Sequence, residues 1–166
     1  MIVSNLFLGS NVQVDTSAKM NNAKIGDGVK IAAQVNVFGA TSHLIEVGEA
    51  TYIGPFSMLE GYNAPVKIGC HVSIAQRVTI LSGSAPNGSE QMQRIFPALK
   101  GPVSIGDHTW IGAHVVIMPN VELGKFCVVA ANSFVNRSFP DYAVIGGTPA
   151  RLIRILNDNE IALLND

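Results

Sequence analysis

Four histidines, two cysteines and one tryptophan are the residues of this 166-residue chain most suited to chemistry. Imidazole titrates near neutrality, so each histidine is a candidate general base or metal ligand. His71 and His108 share one local setting: each stands three residues after an isoleucine that is followed by glycine (Ile68-Gly69, Ile105-Gly106). Such a pair could bind zinc with a third donor, but no third ligand is evident. His43 lies in a stretch of irregular spacing, and His114 follows Gly112-Ala113. A nucleophilic cysteine needs an activating neighbour. Cys127 has none, and Cys70 has only His71 beside it.

What these residues can do depends on the frame that holds them, and the frame is periodic. Eighteen aliphatic residues fall into six rows of three: Leu8, Val14, Met20; Ile25, Ile31, Val37; Val47, Ile53, Leu59; Ile68, Ile74, Ile80; Ile105, Ile111, Ile117; Leu123, Val129, Val135. The step within a row is six, and between rows it is 5, 10, 9, 25 and 6. A sustained step of six is the mark of a hexapeptide β-helix. The residue four places after each aliphatic is mostly small or β-branched, so two inward residues per six fill a narrow triangular prism. Stacked coils of parallel strands then lie about 4.8 Å apart.

The three corners of the prism are unlike. The first begins with glycine in every row, which predicts positive φ and a tight plain turn. The second begins with Asp15, Ala32, Gly54, Ala75, Gly112 and Ala130, and the third takes every insertion. Insertions in solenoids cluster on a functional face. The longest, 84–102, predicts an extruded loop, and long loops in compact domains are functional or disordered. His43 shares that third edge two coils away, roughly 10 Å along the axis. After Phe139 the pattern ends. Residues 1–139 therefore form the β-helix domain, and 140–166 an irregular exit with a short helical tail able to cap exposed strand edges.

Composition narrows the class. A formal charge of −1 and 14% charged residues argue against electrostatic capture of nucleic acid or of an acidic membrane. No apolar run approaches the ~20 residues of a membrane span, and the first residues lack a signal-peptide pattern. Two unpaired cysteines fit a reducing cytoplasm.

The stretch 102–154, with IGDHTWIGAHVVIMPNV, VVAANSFV and GGTPARLIR, resembles the C-terminal part of hexapeptide-repeat O-acetyltransferases of the galactoside, maltose and polysaccharide type. The resemblance implies an all-β fold, a left-handed parallel β-helix of about six coils, with acetyl-coenzyme A as acyl donor and no metal. It also implies a homotrimer with active sites between prisms, acting on a sugar or nucleotide-sugar. Ala113 and Ala131 match positions along the pantetheine arm, with His114 near the thioester. Thr148, Pro149 and Arg151 match the motif at the nucleotide end, where guanidinium pairs well with phosphate. Trp110 matches an aromatic residue of the acceptor site.

One departure stands out. The resemblance places a basic histidine at the start of the extruded loop, where this chain reads Ile80-Leu81-Ser82-Gly83-Ser84-Ala85-Pro86. His43 is the remaining histidine on that edge and the candidate catalytic base. Three readings follow. The first is acyl transfer to a hydroxyl or amine, an amine needing less help from a base. The second is a catalytically impaired coenzyme-A-binding trimer or scaffold. The third is a metalloprotein like the γ-class carbonic anhydrases, which would need three converging histidines.

Overall fold

The computed structural model describes residues 3–164. Short parallel strands wind into a three-faced prism whose core is the aliphatic ladder. Sixteen of the eighteen row residues are buried, and Leu8 and Val14 are the exceptions, both exposed at the open N-terminal end. Burying each such aliphatic contributes about 1.5–3 kcal/mol.

One face is built from Val3–Leu8, Ile45–Val47, Val66–Ile68, Val103–Ile105 and Glu122–Leu123. A second stacks Gln13–Val14, Lys30–Ile31, Tyr52–Ile53, Ser73–Ile74, Trp110–Ile111, Val128–Val129 and Ala143–Gly147. The third stacks Asn36–Gly39, Met58–Gly61, Thr79–Leu81, Val116–Ile117 and Phe134–Val135. Strand Lys19–Ile25 runs through the third corner without interruption, pairing with Asn36–Gly39 on one side of the bend and Ile45–Val47 on the other. It welds the first and third faces into one 11-stranded sheet.

The first corner does not work as its glycines suggest. Positive φ falls two residues after each glycine, at Asn11, Gly28, Ala50, His71, His108 and Phe126. The glycines themselves are required by close approach: a Cβ on Gly48 would meet the Gly69 carbonyl carbon at 2.5 Å and the Cys70 nitrogen at 2.6 Å. Aspartates then cap the corner amides between coils. Asp27 Oδ1 accepts from Ser10 N, Asp107 Oδ1 from Cys70 N and Asp141 Oδ1 from Lys125 N.

The coil does not end at Phe139. Phe139, Ala143 and Ile145 repeat the inward spacing and are buried, and Tyr142 takes the positive φ of the corner. The segment expected to be irregular is a seventh partial coil, in which Ala143–Gly147 pairs parallel with Val128–Val129. A hairpin then turns through Thr148-Pro149 into Ala150–Ile155, which lies antiparallel along the sheet edge. This strand, not the helix, covers that edge. The helical tail, Asp158–Ala162, is joined to it by Arg154, whose two Nη atoms reach the Glu160 carboxylate at 2.6 and 2.8 Å.

The third corner opens as expected. Thr41, expected inward, is exposed because the first insertion lifts it into a turn closed by Ala40 and His43. The extruded loop leaves at Ser82 and returns at Gly101, whose amide donates to the Ser82 carbonyl. Its legs, Gly83–Ser84 and Leu99–Lys100, pair antiparallel, and a short helix, Glu90–Ile95, forms its tip. No helix among the described residues is long and apolar enough to cross a membrane.

Candidate active site

The second corner carries the expected small-residue column. Ala113 in coil five and Ala131 in coil six stack directly, the Asn132 amide donating to the Ala113 carbonyl at 2.9 Å. Gly112 allows that approach, since a Cβ there would sit 2.7 Å from the Ala131 nitrogen. The column continues into coil seven, where the Thr148 hydroxyl donates to the Asn132 carbonyl at 3.2 Å. Ala131 is exposed, and neither its N–H nor its C=O has a partner among the described residues. An extended ligand bearing amides can pair with that backbone, so this corner fits a pantetheine arm. Pro149 and Arg151 flank the same end. Arg151 spends one Nη1 bond on the Ala150 carbonyl and remains exposed.

His114 projects from the same corner with φ +59, exposed, between Arg77 and Asn132 in the stack of positive-φ residues. Arg77 in turn lies over the Phe56 ring at 5.1 Å. Trp110 is 58% exposed and faces outward on the second face, between Ser73 and Val128. That places it on a different face from the extruded loop of its own chain.

At the third corner a cleft of about 490 Å³ opens under the loop, lined by Glu60, Tyr62, Asn63, Ser84, Gln93 and Lys100 among others. No histidine occurs from Gly83 to Pro102, the stretch where the resemblance expects one. Glu60, which sequence reasoning passed over, faces this cleft from strand Met58–Gly61. Its carboxylate accepts from Tyr62 N at 2.7 Å, Ser82 N at 3.2 Å and Ser82 Oγ at 3.3 Å. The signal in the sequence was an acidic residue in a column otherwise holding Asn21, Phe38, Leu81, Met118 and Asn136.

His43 is not brought into this cleft. Its Nδ1 is 2.9 Å from the Ser42 hydroxyl, and its Nε2 is sealed from solvent without a partner. A base must reach its proton, so the sealed nitrogen corrects the expectation for His43. His71 and His108 do meet, ring centroids 4.9 Å apart and parallel within 2°. The stack runs on through Phe126 at 4.7 Å and Tyr142 at 5.6 Å. These imidazoles pack face to face as part of an aromatic ladder. No group of three or more metal-ligating side chains occurs among the described residues. Cys127 is buried and its thiol is pushed up by desolvation, which leaves it inert as a nucleophile.

Comparison with known proteins agrees with this fold. The bacterial transferase hexapeptide (six repeats) family matches residues 102–137. Galactoside O-acetyltransferase of Escherichia coli is 38% identical over 95 residues, 57% of this chain and 46% of the relative. The chain thus spans about half the length of the curated relatives it matches. A hexapeptide-repeat-containing acetyltransferase of Vibrio cholerae, solved with acetyl-coenzyme A, is 31% identical, with TM-score 0.67 over 92% of this chain and 72% of that one. AntD, an N-acyltransferase of Bacillus cereus solved with dTDP and coenzyme A, superposes with TM-score 0.81 at 24% identity, covering 99% and 91%. The fold is a left-handed β-helix. The chain belongs to the hexapeptide-repeat acetyltransferase family.

Proposed function

We propose that this chain transfers an acetyl group from acetyl-coenzyme A to a hydroxyl or amine of a sugar or nucleotide-linked sugar, in polysaccharide or glycoconjugate synthesis. The observation that carries this is the unpaired N–H and C=O of Ala131 within the Ala113–Ala131–Thr148 column, together with the bound donor in the Vibrio relative. In this reading the pantetheine arm runs along the column, His114 borders the thioester, and Thr148, Pro149 and Arg151 take the nucleotide end. The acceptor nucleophile attacks the thioester carbonyl, the carbon–sulfur bond breaks, and the departing thiolate takes up a proton that the nucleophile releases.

The acceptor cleft and the donor column sit at different corners, with His114 and Met118 four residues apart along the face between them. At about 3.3 Å per residue the corners are separated by roughly 13 Å. A second copy that sets its second corner and Trp110 beside the loop cleft of the first would join the two halves. We therefore propose a homotrimer with its sites between prisms, working in the reducing cytoplasm that suits two free thiols.

The test is thiol release from acetyl-coenzyme A with dTDP-4-amino-4,6-dideoxyglucose, the compound bound with coenzyme A in a variant of AntD, its 4-hydroxy counterpart, and simple galactosides. Turnover with at least one is expected, and none with any defeats the reading. Light scattering of the same sample should give three copies. The absence of a histidine from 83–102 and the sealed His43 favour one rival, a silent scaffold. Calorimetry showing coenzyme A binding without turnover would establish that rival.

A further inference from the structure

We propose that Glu60 anchors a positively charged amine on the acceptor, so that this site selects an amino sugar over its hydroxyl counterpart. The inference rests on the acyl-transfer reading and assigns its acceptor side. It begins with an electrostatic oddity. Glu60 is half-buried at the third corner, in register with Phe38 in the coil before and Leu81 in the coil after. A carboxylate between apolar neighbours ordinarily needs a cation. Among the described residues no Lys, Arg or His nitrogen lies within ion-pair distance of it, although Lys100 lines the same cleft.

Three donors hold the carboxylate instead, the Tyr62 and Ser82 amides and the Ser82 hydroxyl. Two oxygens offer about four acceptor sites, so these bonds fix the group's direction and leave it room for a further donor. The same serine hydroxyl accepts from the Asn63 amide at 3.0 Å, and the Asn63 side chain packs against Gly83, where a Cβ would meet its Nδ2 at 2.3 Å. The anchor is thus tied to the first residues of the loop. Besides Lys100 and the apolar Leu81 and Leu99, the lining offers Ser84, Asn87 and Gln93, which are suited to sugar hydroxyls.

A second, independent observation points the same way. A hydroxyl needs a base to become a nucleophile; the stretch 83–102 holds no histidine, and the sealed His43 supplies none. An amine carries its own lone pair once it loses a proton to solvent. A charge that gathers the ammonium form and a site without an imidazole base both suit an amine.

The experiment compares the two matched acceptors, dTDP-4-amino-4,6-dideoxyglucose and its 4-hydroxy counterpart, on wild type, Glu60→Gln and Glu60→Asp. Calorimetric titration with coenzyme A runs alongside. Wild type should prefer the amine by at least 100-fold in kcat/KM. Glu60→Gln should raise KM for the amine at least tenfold while leaving kcat within threefold and coenzyme A affinity unchanged. Glu60→Asp, which keeps the charge, should recover part of the loss. Should Glu60→Gln fold poorly, the amine's KM in wild type should still rise steeply from 20 to 300 mM salt, with no such rise for the hydroxyl acceptor. Equal use of both acceptors, or an unchanged amine KM in Glu60→Gln, overturns the inference while acyl transfer stands. Coenzyme A binding with no turnover on any acceptor overturns both.

Discussion

Replacing Thr51 with valine is nearly isosteric, yet it should be one of the more damaging single changes in the prism. Thr51 is fully buried, four residues after Val47, where the hexapeptide pattern asks only for something small or β-branched. Its hydroxyl donates to the Gly69 carbonyl at 2.9 Å and accepts from the Val72 amide at 3.1 Å, clasping the first corner of the next coil. Neither of those backbone groups has another partner among the described residues. Valine fills the volume and leaves both orphaned. Each buried unsatisfied group costs about 1–3 kcal/mol, so the pair should cost about 2–6 kcal/mol. For a chain of this size that lowers Tm by roughly 4–24 °C.

Serine is the informative control. It keeps the hydroxyl and loses one buried methyl, about 1 kcal/mol. Calorimetric scans should therefore rank wild type above Thr51→Ser and Thr51→Ser above Thr51→Val. Thr109 clasps the Gly124 carbonyl and the Cys127 amide two coils further on, and Thr109→Val should repeat the effect. If Thr51→Val melts at or above Thr51→Ser, the hydroxyl is filler and the reasoning fails.

Three further outcomes are expected. Ala131→Leu should raise the KM for acetyl-coenzyme A at least tenfold by filling the exposed lane beside the unpaired backbone. Its Tm should move by no more than about 2 °C, since an exposed substitution is worth about ±0.5 kcal/mol. Gly48→Ala should destabilise by about 3 kcal/mol or more, because its Cβ would meet the next coil's backbone at 2.5 Å. Gly88→Ala, with open space around it, should be silent in thermal melts. The Glu160 carboxyl is held down to about 2, chiefly by its hydrogen bond to Arg154. A carboxyl depressed in the folded state stabilises above its ordinary value of 4.5, and that contribution fades as pH falls through about 2. NMR titration should place its midpoint there, and Arg154→Ala should return it toward 4.5.

The inward ladder was legible in the sequence because its cause is local and repeated. Every coil must offer the same apolar pair to its neighbours, so burial imprints itself as a period. The parts that were not legible follow from interactions between coils. Thr51, Ser57, Thr109 and Ser133 sit in inward positions that a small-residue rule already explains, and their hydroxyl bonds depend on the corner of the coil above. The first-corner glycines likewise answer to a neighbouring backbone, which no single coil reveals. Leu8 and Val14 obey the period and are exposed all the same, because among the described residues no coil stacks beneath the first. The seventh coil was missed at Phe139, where an aromatic replaces the aliphatic, Pro140 replaces the corner glycine and the step shortens to four.

The same distinction explains the candidate site. In the candidate donor column Ala113 and Ala131 lie in uninterrupted coils, so stacking order alone brings those two together, and Thr148 joins them through the seventh coil. The acceptor cleft lies on the edge where period is broken, and there sequence position says little about who meets whom. His43 and Glu60 are both third-edge residues, one coil apart. The turn between Ala40 and His43 folds the imidazole inward and seals its Nε2. Glu60 precedes the next insertion, inside the pairing with Leu81, so its direction is set by the strand and by Ser82. A side chain held by a strand at the mouth of a cleft can meet a substrate, whereas one folded into its own turn cannot. That is why the carboxylate, rather than the remaining histidine, is the group on this edge to test against the acceptor.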